Sequence, residues 1–331
     1  MGLCFIKVVS FQRDDFFLSL HDSFEEWERG KLMKTTKTVS LLLSLAFLLT
    51  LLAGSALAAP ISVTDMKGRE IELAEPATRI VALTAADCEI LFALGAGDAL
   101  VGRGAYCDYP PEVFDIPDVQ SGADTNIEQI VALEPQVVLM STMAQTVEQV
   151  AALEAAGIVV VTSEAHDIAG VYQAIELIGA VSGKAEEAAA MIAHMQSAFE
   201  DIMSKSYKDG SETIYFEVSP LQWGLWTAGA GTFMDELASM LGVTNVFYDV
   251  SGWAQVSEEQ VIERDPDYIV TIGMYFGDGP TPVEEIVSRE GWQDMKAIVS
   301  GAVFNADSNE ISRPGPRLMD AAAALYQFIY D

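Results

Sequence analysis

The stretch that decides the fold is Asn126-Ile-Glu-Gln-Ile-Val-Ala-Leu-Glu-Pro-Gln-Val-Val-Leu139, because a closely similar stretch follows later as Ser257-Glu-Glu-Gln-Val-Ile-Glu-Arg-Asp-Pro-Asp-Tyr-Ile-Val270. Each copy begins with a residue that favours a helix N-cap and carries a glutamate in the first turn, Glu128 or Glu259, where the helix dipole favours a carboxylate. Each helix should end at an acidic-Pro step, after which β-branched and apolar residues predict a buried strand. A helix that enters a strand, repeated along the chain, predicts two lobes of similar build.

The rest of the chain alternates predicted strands and helices, which is typical of parallel sheets covered on both faces. Between the two copies, residues 168–206 read as nearly continuous helix, and the part from Lys184 to Met203 carries one apolar stripe about 30 Å long. We therefore predict an α/β fold of two Rossmann-like lobes, each with a central sheet, joined by one long α-helix, with a cleft between the lobes. The predicted domains are an N-terminal lobe at 59–167, a helical connector at 168–211 and a C-terminal lobe at 212–331.

Residues 1–58 predict a leader that ends in a secretory signal peptide. The basic start Met33-Lys34-Thr35-Thr36-Lys37 precedes an apolar run and a small-residue cleavage site that ends at Ala58. The apolar run, roughly 15 residues, is shorter than the about 20 that a membrane anchor needs. We expect an exported protein that starts at Met33 and has no lipid anchor, because Ser55 stands where a lipoprotein signal needs a cysteine. The sequence does not decide between a periplasm and the cell exterior, nor whether residues 1–32 are translated.

The charge balance and the rare residues exclude several kinds of site. The net charge is −31, and a surface this acidic argues against nucleic acid as a partner. Beyond the leader the sequence has neither a Cys/His cluster with metal-ligand spacing nor a serine-nucleophile motif, so we predict no metal site, no cofactor and no catalytic residue. Cys88 and Cys107 remain after cleavage of the leader, and the sequence leaves open whether they form a disulfide.

Aromatic side chains are concentrated in the predicted loops, near strand ends where open α/β sheets bind ligands. Two arginines, Arg103 and Arg313, place rare positive charge on the same kind of loop and could hold a carboxylate, a phosphate or an anionic chelate. For each residue alone, core packing or a structural salt bridge is an equally good explanation. The candidate ligand-binding residues are Tyr106, Trp253, Trp226, Trp223, Arg313, Arg103 and Tyr275.

Several motifs, in this order, resemble the solute-binding proteins of ABC importers for ferric siderophores, haem and cobalamin, the class with a single long helix between its lobes. They include Arg79-Ile-Val-Ala-Leu83, Tyr106-Cys-Asp-Tyr-Pro-Pro111, Trp253-Ala-Gln-Val-Ser-Glu-Glu-Gln260 and Ser312-Arg-Pro-Gly-Pro-Arg317, and the resemblance covers residues 61–331. It implies a substrate-binding protein, not an enzyme, that delivers a metal-chelate nutrient to a membrane permease. It also implies that Glu128 and Glu259 dock on the two subunits of the permease dimer, since equivalent helices suit a two-fold partner.

The resemblance leaves the ligand open. Tyr106 and Trp253 match aromatic positions that line the corrinoid cleft of cobalamin-binding relatives, but a second tryptophan of those relatives would fall near Gly122 and is absent here. We therefore weigh a ferric siderophore and cobalamin equally, with haem as a further tetrapyrrole, and expect a monomer. The alternative functions are a secreted enzyme or metal-centre protein that uses the same cleft, and a sensory binding domain.

Overall fold

Two separate sheets, one before and one after a long helix, carry the two copies of the repeated stretch. The computed structural model describes residues 60–142, 145–274, 277 and 279–331. The strands are β1 (Ile61–Thr64), β2 (Glu70–Leu73), β3 (Ile80–Ala82), β4 (Leu100–Arg103), β5 (Val137–Met140), β6 (Val159–Thr162), β7 (Thr213–Ser219), β8 (Trp226–Ala228), β9 (Thr244–Asn245), β10 (Trp253–Gln255), β11 (Tyr268–Thr271) and β12 (Val303–Asn305). The helices are α1 (Ala85–Ala93), α2 (Ile127–Ala132), α3 (Val147–Ala155), α4 (Ile168–Ser182), α5 (Ala185–Lys205), α6 (Phe233–Met240), α7 (Glu258–Arg264), α8 (Pro282–Val287), α9 (Lys296–Ser300), α10 (Ser308–Ser312) and α11 (Leu318–Tyr330).

The N-terminal lobe is built on a parallel sheet with strand order β4-β3-β5-β6. Its two central strands, β3 and β5, are buried along their whole length. Both read as continuous apolar runs, as expected for strands that helices cover on both faces. The hairpin of β1 and β2 precedes this sheet and pairs with itself in antiparallel register.

The C-terminal lobe is built on a mixed sheet with strand order β10-β8-β7-β11-β12, and β9 also pairs with β7. The pairs of β7 with β11 and of β11 with β12 are parallel, whereas β8 pairs antiparallel with both β7 and β10. The sequence placed Trp226 in a predicted loop, and that prediction was wrong at 226–228. The strand β8 forms there because β7 and β10 supply hydrogen-bonding partners on both sides.

The connector between the sheets consists of α4 and α5, and it confirms the predicted fold class. The two helices meet at Gly183, whose φ of 72° lies in the left-handed region that favours glycine. The helix α5 has 21 residues, which gives a length of about 30 Å. Its buried residues are Ala188, Met195, Phe199 and Ile202, all on the apolar stripe that the sequence predicted. The domain boundaries stay a prediction.

The two copies of the repeated stretch adopt the same local geometry. The side chains of Asn126 and Ser257 each cap their helix by accepting a hydrogen bond from the backbone N–H three residues on, at 3.0 and 3.3 Å. The helices then end at Glu134 and Asp265, whose φ values of 49° and 42° are both left-handed. That conformation is unfavourable for a residue with a Cβ atom. Its occurrence before both prolines shows that the two copies share a backbone conformation.

Two parts of the chain bear on membrane attachment, the helices from Pro60 onward and the predicted leader before it. None of the helices in the described ranges is long and apolar enough to cross a bilayer. The predicted leader, including Met33, Ser55 and the cleavage site at Ala58, lies outside the described residues.

Candidate functional site

A cleft with a volume of about 430 Å³ lies where the strands of both sheets end. The N-terminal lobe contributes residues that follow β3, β5 and β6, and the C-terminal lobe contributes residues from β7, α6, β10 and the segments after β11 and α10. The volume is within the range of small-molecule sites, about 300–1,000 Å³, and the carboxyl ends of strands are where such sheets bind ligands. The described lining residues are Thr84, Ala85, Ala86, Asp87, Ser141, Ser163, Glu164, Ala165, His166, Ala174, Val218, Phe233, Met234, Trp253, Ile272, Ser312, Arg313 and Pro314.

Trp253 is the aromatic candidate that the structure brings into the cleft wall. It opens β10 and is held there by antiparallel pairing, with Trp253 opposite Ala228 of β8. Its ring packs at a tilt against Phe233, with 5.5 Å between the ring centroids. Phe233 and Met234, in the first turn of α6, extend the same apolar surface. The C-terminal side of the cleft therefore offers a broad apolar face on which a planar or ring-rich ligand can lie.

Arg313 also lines the cleft, but its guanidinium group already has two carboxylate partners. Its Nη1 atom donates to Oε1 of Glu89 at 2.7 Å and to Oδ1 of Asp108 at 2.6 Å. Arg317 donates to both oxygens of Glu89, at 2.9 and 2.7 Å. The bond from Arg313 lowers the pKa of Asp108 below its ordinary value. These four residues form an interlobe ion cluster, since Glu89 and Asp108 belong to the N-terminal lobe and the two arginines to the C-terminal lobe.

Arg103 lies outside the cleft lining and stabilises the loop that follows β4. It is 8% exposed, and its guanidinium group donates to the backbone carbonyls of Gly104, Cys107 and Ile116 at 3.3, 3.2 and 3.2 Å. The loop that it holds carries Tyr106, whose ring is 75% exposed. Arg103 therefore positions this loop, and the role in ligand binding that the sequence suggested for it stays a prediction.

The remaining aromatic candidates are not among the described lining residues. Trp223 and Trp226, on the segment that leads into β8 and on β8 itself, are 75% and 40% exposed. Tyr275 lies outside the described residues.

Sequence reasoning missed the polar groups on the N-terminal side of the cleft. Thr84 and Asp87 follow β3, Ser141 follows β5, and the segment from Ser163 to His166 follows β6. Each of these groups comes within five residues of the end of a parallel strand that the sequence did predict. Their position just after a predicted strand is therefore the sequence signal that could have identified them. The aromatic content of the loops does not indicate them.

Glu164 brings negative charge to this polar wall. Burial raises the pKa of its carboxyl group, but hydrogen bonds from the hydroxyl and backbone N–H groups of Thr142 and the charge of Lys67 lower it by more. The net effect is a pKa below the ordinary value, so Glu164 is ionised at neutral pH. The Nζ atom of Lys67 lies 3.6 Å from the Glu164 carboxylate.

Two buried thiols lie behind the wall. The Sγ atoms of Cys88 and Cys107 are 2.8 Å apart, and both cysteines are free in the structure. Burial raises the pKa of Cys88 well above its ordinary value, so the reactive thiolate is scarce at neutral pH. The sequence left the pairing of these residues open, and the fold brings them into contact.

Glu128 and Glu259 are both exposed, each in the first turn of its helix. Neither makes an ion pair within the described part of the chain. The pKa of Glu259 is lowered by hydrogen bonds from the Ser257 side chain and from its own backbone N–H. Each lobe thus carries, in the first turn of the helix before a sheet strand, one exposed carboxylate that makes no ion pair with a described residue.

The chain is similar in sequence to a known protein family and to several known proteins. The sequence profile of the periplasmic binding protein family matches residues 80–310. The chain is 31% identical over 277 residues to the ABC transporter substrate-binding lipoprotein YvrC of Bacillus subtilis, which covers 82% of this chain and 86% of that protein. It is also 31% identical over 257 residues to a vitamin B12-binding protein of Salmonella choleraesuis, which covers 75% and 89% of the two chains.

The same fold occurs in a solved structure from Staphylococcus epidermidis, a possible iron-binding (periplasmic solute-binding) protein. It superposes with a TM-score of 0.67 at 27% sequence identity and covers 78% of this chain and 100% of that chain. The long helix between two α/β lobes and the cleft at their strand ends are therefore features of a known architecture.

Proposed function

Because the chain belongs to the periplasmic binding protein family, whose members are substrate-binding proteins and not enzymes, we propose that it captures a metal-chelate nutrient and delivers it to the permease dimer of an ABC importer. A corrinoid is the first ligand to test, because the Salmonella relative is a vitamin B12-binding protein. A ferric chelate is the second, because the Staphylococcus structure is that of a possible iron-binding protein.

The observation that carries this proposal is the cleft itself. Its volume suits a small molecule, its C-terminal wall is an apolar surface led by Trp253, and its N-terminal wall is lined with polar groups. The surfaces of corrinoids, haem and ferric siderophores are divided in the same way, because each has a ring or shell of apolar atoms and polar groups at its edge. A bound chelate would lie against the tryptophan and turn its polar edge toward Thr84, Asp87 and Ser163.

Delivery to the permease would use the two exposed carboxylates. Glu128 and Glu259 occupy equivalent positions in two copies of one structural unit, so a partner with two-fold symmetry can receive one from each lobe. One chain then already matches both permease subunits, which supports action as a monomer. We propose that the protein is exported without a lipid anchor, in keeping with Ser55 in its signal sequence.

The alternatives suggested by the sequence gain no support from the site. Among the described residues, no three His, Cys, Asp or Glu side chains come together in a way that could hold a metal ion. Capture of a chelate also needs no such centre, because the chelator itself holds the metal.

Tryptophan fluorescence tests the proposal directly. The purified protein is titrated with cyanocobalamin, haemin, ferric ferrioxamine B and ferric citrate, in parallel with Trp253→Phe and Trp223→Phe variants. We expect at least one chelate to quench the fluorescence at micromolar concentration or below. Most of the quenching should disappear in Trp253→Phe and remain in Trp223→Phe, because Trp223 is exposed outside the described cleft lining. No response to any of the four chelates would contradict the proposal.

A further inference from the structure

One carboxyl oxygen on the cleft wall lacks a hydrogen-bond partner in the described structure. Asp87 lines the cleft and is 1% exposed. Its Oδ2 atom is buried and accepts no hydrogen bond from any described residue. Leaving a buried polar oxygen unpaired costs free energy, and in native proteins such groups usually have a partner. A donor for Asp87 can come from the molecule that occupies the cleft.

Helix capping does not account for this side chain. In α3, α7 and α8 the third residue is Gln149, Gln260 or Glu284, and its side chain accepts a hydrogen bond from the backbone N–H of the N-cap residue at 2.9, 2.9 and 2.8 Å. Asp87 holds the same position in α1, and Thr84 caps that helix by accepting from the Asp87 backbone N–H at 3.1 Å. The reciprocal bond is present in the other three helices, but not in α1. The shorter aspartate leaves an oxygen that capping does not use.

The charges around Asp87 favour a ligand group that donates. Glu164 also lines the cleft and is ionised at neutral pH. Arg313 is the one arginine or lysine among the described lining residues, and two carboxylates already neutralise it. Lys67 offsets part of the Glu164 charge but is not among the described lining residues. A ligand carboxylate on this wall would therefore face the carboxylates of Asp87 and Glu164, whereas an N–H group would find acceptors.

We propose that Asp87 is a specificity-determining residue that accepts a hydrogen bond from an N–H group of the bound chelate, so that the cleft prefers chelates with carboxamide or ammonium groups to those with carboxylates. This inference rests on the proposed function, because it names the chemical class of ligand that the same cleft takes. Carboxamide and ammonium groups share the required chemistry, and the experiment below separates them.

The ionisation of Asp87 predicts a pH dependence of ligand binding that can be measured in the unmodified protein. Burial raises the pKa of Asp87 to about 6, although the hydroxyl groups of Thr84 and Ser163 act in the opposite direction. The bond to a ligand N–H uses the ionised carboxylate, so ligand binding weakens as the pH falls through this value. At pH 5 about one tenth of the free protein is ionised, which raises the Kd about tenfold relative to pH 7.5.

Other titratable groups near Asp87 must be separated from this effect. His166 and Glu164 face the cleft from the segment after β6, and Arg313 faces it from the segment after α10. Cys88 is the next residue on α1, and the charge of Asp87 contributes to its raised pKa. An Asp87→Asn variant keeps the size of the side chain and removes its titration, and a His166→Gln variant removes the histidine instead.

The test uses two corrinoids that share one ring and differ at its edge. Dicyanocobinamide carries carboxamides, whereas dicyanocobyrinic acid carries carboxylates at the corresponding positions. Ferric ferrioxamine B, with its ammonium group, and ferric citrate form a second pair. The Kd of each chelate is measured by calorimetry between pH 5 and pH 7.5 for the wild-type protein and for the Asp87→Asn and His166→Gln variants.

We expect the wild-type protein to bind the donor-bearing member of a pair at least about tenfold more tightly, the scale of one charge-assisted hydrogen bond. The tenfold weakening at pH 5 should vanish in Asp87→Asn and persist in His166→Gln. A preference confined to the cobinamide pair assigns a carboxamide donor, and one confined to ferrioxamine B that is lost on N-acetylation of its amine assigns an ammonium donor. Equal affinity within both pairs, or a pH profile of the wild-type protein that is flat, would overturn the inference and leave the proposed function intact. Failure of these four chelates, and also of cyanocobalamin and haemin, to bind would overturn both.

Discussion

The two copies of the repeated stretch differ in their side-chain partners although their backbones agree. In the first copy, the Gln129 amide donates to the backbone carbonyl of Asp118 at 3.1 Å. In the second copy, the equivalent Gln260 completes a capping box with Ser257. The second copy is also anchored by Glu258, which accepts a hydrogen bond from the indole of Trp292 at 3.1 Å.

The backbone geometry of the repeat is therefore common to both lobes, whereas its side-chain contacts differ between them. Local sequence fixes the cap, the short helix and the left-handed acidic residue before proline in both copies. The side chains that face each lobe have different hydrogen-bond partners, because the surrounding residues of the two lobes differ. Glu128 and Glu259 are exposed in both copies and pair with no described cation, so the shared outward feature is a free carboxylate.

The largest expected effect comes from reversing both shared carboxylates. A Glu128→Lys, Glu259→Lys double variant should abolish uptake and leave the Kd for the chelate unchanged, because the two proposed docking residues are not among the described residues that line the cleft. Each single variant should retain part of the uptake. Transport is measured with the cognate permease reconstituted in proteoliposomes.

A matched control for this experiment is the Glu72→Lys, Glu200→Lys double variant. Both residues are exposed, on β2 and α5, and the change in net charge is the same. Uptake by this control should stay near the wild-type level. Equal loss in both double variants would indicate a general charge effect and would remove the docking role from the two repeat positions.

The second prediction tests a difference between the cores of the two lobes. The central strands β3 and β5 of the N-terminal sheet carry only apolar residues, whereas β7 carries Glu217, which pairs with Arg289 through bonds of 2.6 and 2.9 Å. An Arg289→Met variant leaves Glu217 buried without its partner, and we expect it to lose about 3–5 kcal/mol of unfolding free energy. Urea unfolding gives the value.

Removing both charges should cost much less than removing one. In a Glu217→Met, Arg289→Met double variant no buried charge is left unpaired, because Glu285, the other carboxylate that Arg289 contacts, is partly exposed. Most of the lost stability should therefore return. If the double variant is as unstable as Arg289→Met alone, loss of packing and not the unpaired carboxylate explains the effect.

The smallest expected effect tests the equivalence of the two left-handed residues. A Glu134→Gly variant should gain about 0.5–1 kcal/mol of unfolding free energy, because glycine relieves a left-handed conformation at some entropic cost. The Asp265→Gly variant should gain less, since the Asp265 carboxylate also accepts a hydrogen bond from the Lys296 backbone N–H at 2.8 Å. Thermal unfolding of both variants provides the comparison. A loss of stability in Glu134→Gly would show that its left-handed conformation carries no strain.

Much of the fold could be predicted because its signals are local. N-caps and acidic-Pro steps act within a few residues and placed the repeat correctly, and an apolar stripe placed the long helix. The strand β8 could not be predicted in the same way, because its pairing depends on β7 and on β10, which lies more than twenty residues away along the chain.

The site was harder to predict because its contacts join distant segments. Arg313 has the charge of an anion-binding residue, but its partner Glu89 is 224 positions away and no local pattern reveals it. The sequence likewise shows no partner for Arg103, because its guanidinium group donates to backbone carbonyls of the loop after β4. Trp253 lines the cleft, and its role in ligand binding stays a prediction. Asp87 stands out only because it is buried, and the sequence does not show burial.

We propose that one chelate is held in the cleft between the two lobes, apart from the repeated helices. A crystal structure of the protein with the chelate that binds most tightly in the fluorescence titration would locate it. We expect a single chelate per chain, with its ring or shell against Trp253 and its polar edge toward Asp87 and Ser163. A chelate bound outside this cleft, or held through Glu128 or Glu259, would contradict it.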